Sequence, residues 1–276
     1  MSTNQINKIL VTFPGKMGDL IYTLPAIMSL REHFDCEIDY QTSEYCRPAV
    51  SLIKSQPCVE DCFIDPDYIL ENFYYGCQPP MMSEPPGYDK VIHFGFKKEL
   101  LGDVHTSHLI KVPYITLEKG YDLKLPGNTD DEYLFLAGKD QKDYIVLIGF
   151  GETMRFQFRR WQHWGYRRFW RKIARRIEGE LIIIARPNEE YFYRGFGGEI
   201  ICPRDLMETA NIINNAGCFI GGQSVGAAIA DGLKTPRLIL NYFSSSSPVG
   251  RNSDVFSLDD STDTILNKLR VLQESA

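Results

Sequence analysis

Residues 8–25 read KILVTFPGKMGDLIYTLP, and this stretch decides the fold class. Lys8 to Phe13 is a short apolar run with β-branched residues, stopped by Pro14 and Gly15, which predicts a buried strand. In the turn Gly15-Lys16-Met17-Gly18, two residues lack a Cβ, so the backbone can turn tightly and approach a bound group closely. From Asp19 onward Leu20, Ile21, Leu24, Ile27, Met28 and Leu30 recur at helical spacing, which predicts a single helix. Strand, glycine turn and helix in that order are the opening unit of a parallel sheet wrapped by helices.

Asp19 falls in the first turn of that helix. The macrodipole and the free amides there favour an anion, so one reading makes Asp19 a helix cap. The other makes it a reactive group, because the C-terminal end of a strand is where open α/β sheets bind ligands. The two roles are compatible.

Gly15-Lys16-Met17-Gly18 is neither a Walker loop nor a G-x-G-x-x-G dinucleotide fingerprint. The pattern Gly18-Asp19, four residues from Asp19 to Thr23, then Thr23-x-Pro25, resembles the opening of glycosyltransferase family 9, the bacterial lipopolysaccharide heptosyltransferases. That resemblance implies a catalytic base at Asp19, with Gly15, Lys16, Met17 and Gly18 forming a loop beside the reacting groups. It also implies two Rossmann-like domains facing a cleft, the GT-B arrangement, with parallel sheets flanked by helices.

The chain has 276 residues, 43% hydrophobic and 24% charged, the composition of a soluble globular protein with one large or two ordinary domains. No apolar run reaches the roughly 18 residues of a membrane span, and the polar start from Met1 to Asn7 does not read as a signal peptide, which predicts a cytoplasmic location. The 7 cysteines are scattered, with Cys58 and Cys62 closest and no second pair or histidine at zinc spacing; reduced, packed thiols are expected. A net charge of −6 argues against general nucleic-acid binding. It conceals a basic block, Arg155, Arg159, Arg160, Arg167, Arg168, Arg171, Lys172, Arg175 and Arg176, uninterrupted by acids and suited to phosphates or an anionic surface, so peripheral membrane contact stays open.

Strands are expected at 36–41, 60–64 and 90–94, with a helix at 45–53. Between Tyr74 and Tyr88 four prolines predict a surface loop, either a plain connection or a lid over an acceptor. His93 falls at a strand end, with His105 and His108 after it; such residues can carry protons, but packed or solvated histidines are more common. The polar stretch from Tyr121 to Asp143 places a domain boundary near residue 140, giving domains 1–140 and 141–276.

The second half repeats the grammar. A strand at 144–148 runs into Gly149-Phe150-Gly151-Glu152-Thr153, followed by the basic block. A helix at 166–177 would turn Phe169, Trp170, Ile173 and Ile177 inward, leaving Arg155, Arg159 and Arg160 on a preceding loop as the better phosphate ligands. Further strands are expected at 181–185, 218–220 and 237–240, and helices at 204–215, 227–233 and 263–272, the last crossing back onto the first domain if the resemblance holds. The turn Gly221-Gly222-Gln223-Ser224-Val225-Gly226 before a small-residue helix is a ready anion site, or else an ordinary strand-to-helix turn.

In the resembling family the corresponding turn binds the diphosphate of a nucleotide sugar. The family there usually carries an acid and, further on, a histidine, whereas this chain has Gln223 and Ala228. The resemblance implies a metal-independent, inverting glycosyltransferase moving a sugar from a nucleotide-diphosphate sugar to a saccharide or other hydroxyl acceptor. The donor diphosphate would be held by Gly222, Gln223, Ser224, Val225 and Gly226 with Thr153 and Arg155 or Arg160, and neither metal nor further cofactor is expected. Two other readings stay open: a catalytically inactive relative that binds a nucleotide, saccharide or partner protein, and a glycosyltransferase acting on nucleic acid.

Overall fold

The computed structural model describes residues 6–66, 84–94, 109–127, 130–138, 140, 142–149, 160–241 and 252–275. The chain divides into two units, Met1–Phe135 and Leu136–Ala276.

In the first unit, strand β1 (Lys8–Phe13) is followed by helices α1 (Met17–Ile21) and α2 (Leu24–Phe34), then β2 (Glu37–Ser43). A 3-10 turn at Glu44–Ala49 leads into α3 (Val50–Lys54), and β3 (Asp61–Asp65), β4 (Lys90–His93) and α4 (Val112–Tyr121) complete the described elements. The sheet order is β3-β2-β1-β4 with every pairing parallel; β1 runs beside β2 from Lys8 opposite Glu37 to Phe13 opposite Thr42. Ile9, Leu10 and Val11 are wholly buried, which is why this strand reads as an unbroken apolar run.

The single helix expected after the glycine turn is two helices. Pro25 has no amide hydrogen to donate to Ile21, and its ring clashes with the carbonyl four residues back, so the helix stops at Ile21 and restarts at Leu24 with Pro25 in its first turn. Thr23 mends the break. Its Oγ1 donates to the Leu20 carbonyl at 2.7 Å and lies 3.0 Å from the buried Tyr40 hydroxyl on β2.

The second unit contains β5 (Lys142–Ile148), α5 (Arg160–Ala174), β6 (Leu181–Ile184), α6 (Glu190–Tyr193), β7 (Glu199–Ile201), α7 (Leu206–Asn214), β8 (Ala216–Gly222), α8 (Val225–Gly232), β9 (Arg237–Leu240), β10 (Ser253–Phe256) and α9 (Thr262–Glu274). Its six parallel strands are ordered β10-β9-β8-β5-β6-β7. Counted from β5 as the first strand, that is the Rossmann order 3-2-1-4-5-6. The sheet of the first unit repeats the 3-2-1-4 part of it.

The second core is built on Trp170, which is fully buried and meets Phe256 edge-on while Phe169 stacks on the same ring. Ile265 and Leu269 of α9 join that core, so the buried side of the last helix lies on its own sheet. Asp205 accepts from the Glu208 amide at 2.9 Å and Ser261 from the Thr264 amide at 3.1 Å, fixing the starts of α7 and α9.

Among the described cysteines all six are free thiols, and all but Cys202 are buried. Burial pushes the thiols of Cys58 and Cys62 up to about 12, so both stay protonated and unreactive near neutrality.

Candidate functional site

Each sheet has a switch point, where connections leave in opposite directions and the strand ends part to leave a crevice. In the first unit this lies between β1 and β4; in the second, between β5 and β8.

The residues at the first switch point are Gly15, Lys16, Met17, Gly18 and Asp19, as expected from sequence. The loop is fixed from below and from the side. The Phe13 ring lies so close under Gly15 that a Cβ there would sit 2.3 Å from the ring edge. Cys46 Sγ donates to the Gly15 carbonyl at 3.2 Å, and Thr42 Oγ1 to the Phe13 carbonyl at 3.0 Å. Burial holds the Cys46 thiol protonated by pushing it up to about 11, which keeps it a donor.

Asp19 is not a cap. Lys16 occupies the N-cap of α1 and makes no side-chain capping bond, while Asp19 lies in the first turn with no hydrogen-bond donor to its carboxylate among the described residues. Half-buried and without such donors, it pays for desolvation: its carboxyl is pushed up to about 6, with the Lys16 charge pulling weakly the other way. A carboxylate in that condition is a stronger proton acceptor than an ordinary aspartate and still ionised at neutral pH.

His93 stands at the same edge, opposite Thr12 of β1. Its Nδ1 lies 2.7 Å from Thr12 Oγ1, its Nε2 2.7 Å from Glu84 Oε1, and its amide donates to the Tyr121 hydroxyl at 2.7 Å. Both ring nitrogens are therefore occupied, which is the packed reading of this histidine. His105 and His108 lie outside the described residues, as does most of the proline-rich loop from Tyr74 to Tyr88.

At the second switch point β8 ends at Gly222, and Gln223 and Ser224 lead into α8 at Val225 and Gly226. Two of the glycines are crowded, Gly221 by backbone and Gly226 by a side-chain tip. A Cβ on Gly221 would lie 2.7 Å from the Ile148 carbonyl oxygen, and one on Gly226 2.3 Å from Ile148 Cδ1. Ser224 is the N-cap of α8 in extended conformation, yet its side chain accepts no capping bond and its buried Oγ has no partner among the described residues. The first amides of a helix have no intrahelical acceptor, so an unengaged hydroxyl there sits beside donors that suit an anion.

Two neighbours enlarge this edge. Gly149 follows β5, and its carbonyl accepts from the buried Tyr166 hydroxyl of α5 at 2.6 Å. Asn241 follows β9, whose last residue Leu240 pairs with Gly222, and its buried Oδ1 is also without a partner among the described residues. The sequence reading missed Asn241; the available signal was a polar side chain placed directly after the apolar run 238–240.

Thr153, Arg155 and Arg159 lie outside the described residues. Arg160, expected on a loop, is the first residue of α5, whose amphipathic pattern extends further toward the N-terminus than the expected 166–177; its side chain also lies outside what is described. Gln223 is half-buried, and Ala228 is fully buried inside the second unit.

The spacing Asp65-Pro66-Asp67, which the sequence reading passed over, resembles a D-x-D metal motif. Asp65 is buried at the end of β3 and accepts from Gln41 Nε2 at 3.4 Å, while Asp67 lies outside the described residues. Among the described residues no three His, Cys, Asp or Glu side chains gather as a metal site would require.

Solved glycosyltransferases share this fold over nearly the whole length of the chain. A glycosyl transferase family 9 protein from Veillonella parvula matches with a TM-score of 0.68 over 99% of both chains at 12% identity. The fold is that of glycosyltransferase family 9. The E. coli heptosyltransferase WaaC, solved with ADP-2-deoxy-2-fluoro heptose, shares the family 9 fold at a TM-score of 0.67 over 98% of this chain and 100% of its own, at 15% identity. E. coli ADP-heptose heptosyltransferase II matches at 0.66 over the same shares and 14% identity. No protein-family model matches the chain, and no curated protein matches it by sequence.

Proposed function

We propose that the protein is a glycosyltransferase that moves a sugar from a nucleotide-diphosphate donor to an acceptor hydroxyl with inversion. The observation that carries this reading is Asp19, a desolvated carboxylate with no donor partner at the switch point of the first sheet. In the proposed step the acceptor oxygen attacks the anomeric carbon while Asp19 takes its proton. The bond from that carbon to the diphosphate breaks, and the electron pair leaves with the diphosphate.

The growing negative charge would be met by the amides of Gly222 to Gly226, the Ser224 hydroxyl and the Asn241 side chain, with Arg155 or Arg160 as the cation. Fixed amides and a guanidinium can carry this charge without a metal, and a cytoplasmic setting would supply nucleotide sugars. The heptosyltransferases that share the fold are described with ADP and an ADP-heptose analogue, which makes a nucleotide diphospho-sugar the donor class to test first. Ala228 argues that the donor is gripped differently from theirs, because this chain offers only a buried methyl group where the family usually has a histidine. The same observation favours a second reading, a protein that binds the nucleotide without turning it over.

The deciding experiment measures nucleotide release from a panel of ADP-, UDP-, GDP- and dTDP-sugars with saccharide acceptors, alongside calorimetric binding. Turnover that falls by about 10² to 10⁴ in Asp19→Asn, with binding retained, supports the transferase. Binding without turnover supports the second reading, and no binding of any nucleotide sinks both.

A further inference from the structure

Helix α5 has a face that the core of the second unit does not use. Tyr166, Trp170, Ile173 and Ala174 point inward and are buried. On the outer side Trp164, Arg168, Lys172 and Arg175 follow at intervals of four, four and three residues, the spacing of one helical face. Trp164 is 69% exposed, which a packing role does not explain.

Three arginines of this helix are locked in place without being neutralised. Arg167 donates from Nε to the Phe192 carbonyl and from its terminal nitrogen to the Arg194 carbonyl, both at 2.7 Å. Arg171 and Arg175 both donate from Nε to the Gly195 carbonyl, at 3.2 and 2.9 Å. A carbonyl fixes a guanidinium but carries no net charge, so each arginine keeps its full positive charge and its remaining N–H donors. Of the six cations from Arg167 to Arg176, only Arg176 meets a carboxylate among the described residues, that of Asp263. The nearby acids of α6 are turned to other partners: Glu189 accepts from the Arg186 amide and Glu190 from Cys202. A shallow depression of about 400 Å³ runs along this face between Trp164, Gly165, Arg167, Arg168 and Arg171.

We propose that the outer face of α5 is a docking surface for the anionic phospholipids of a bilayer. The chain carries a net charge of −6, so this face is a local positive region on an acidic protein. Such a molecule is drawn to a flat anionic surface by one side and repelled by a polyanion that wraps it. Trp164 heads the row of cations, and an exposed indole beside cations is the arrangement that settles at headgroup depth in a membrane interface. The inference is independent of the transferase reading, because its readout involves no sugar chemistry.

The test is sedimentation of the full chain with phosphatidylcholine vesicles and with vesicles of phosphatidylcholine and phosphatidylglycerol. The expected result is binding to the anionic vesicles alone, weakening as salt rises from about 0.05 to about 0.5 M. Each surface cation contributes roughly fivefold, so Arg168→Ala with Lys172→Ala should weaken binding about 25-fold. Both side chains are exposed and make no bond among the described residues, so unchanged circular dichroism and melting temperature are expected for that variant. A blue shift of tryptophan emission on vesicles should be lost in Trp164→Phe. Equal binding to neutral vesicles, or unchanged binding by the double variant, overturns the proposal. So does binding of a single-stranded oligonucleotide with no binding of anionic vesicles.

Discussion

Arg237 and Asp231 pair in the interior of the second unit, the guanidinium at 0% and the carboxylate at 3% side-chain exposure. Asp231 stands in the last turn of α8, where the helix dipole disfavours an anion, and Lys234 approaches it at 3.5 Å as a second cation. Removing one partner strands the other. Asp231→Asn should lower unfolding free energy by roughly 3–5 kcal/mol in urea titration, whereas Asp231→Leu combined with Arg237→Met should cost far less than either single change.

For Asp19 the sign of the pH dependence runs against the usual aspartate. Its folded carboxyl sits at about 6 against an ordinary value of 3.8, so the native state holds the proton more tightly than the unfolded chain. Between those values folding takes up a proton, and the Asp19 contribution to stability falls as pH rises. Asp19→Asn carries no charge and should match the parent at pH near 3.8. It should be more stable by up to about 3 kcal/mol well above pH 6, as read from melting temperatures across that range.

The same shift sets the activity profile. A base must be ionised to accept a proton, so kcat/KM should climb tenfold per pH unit below about 6 and level off above it. A profile still rising at pH 8 would assign the base to another group.

Ser224 offers a separation of binding from folding. Its buried Oγ has no partner among the described residues, so Ser224→Ala removes an unsatisfied polar atom and should leave the melting temperature unchanged or slightly raised. Nucleotide-diphosphate affinity should weaken roughly tenfold to a hundredfold, the worth of one hydrogen bond to a charged group, in calorimetric titration.

At Gly221 the obstacle is backbone. The Ile148 carbonyl oxygen, 2.7 Å from an added Cβ, is tied into the β5–β8 pairing and cannot swing aside as a side chain could. Gly221→Ala should cost about 1–3 kcal/mol in urea unfolding, with loss of nucleotide binding because the strand ends that frame the turn must part.

The alternation of apolar strands and helices was readable along most of the chain, because fully buried parallel strands such as Lys8–Phe13 and Leu181–Ile184 appear as unbroken apolar runs. Strand order was not, since nothing local in Ala216–Gly222 states that it pairs with Lys142–Ile148 rather than with its sequence neighbour. The short strands Glu199–Ile201 and Ser253–Phe256 went unnoticed because they are edge strands with only partial burial. At the candidate site the glycine turns and Asp19 were legible from residue type and spacing. The state of Asp19 was not: helix position suggested an anion steadied by amides, and desolvation produced the reverse.

Pro25 governs Asp19 from six positions away. By withholding one amide it reduces the aspartate's carrier to a single short turn, distinct from the long helix beyond.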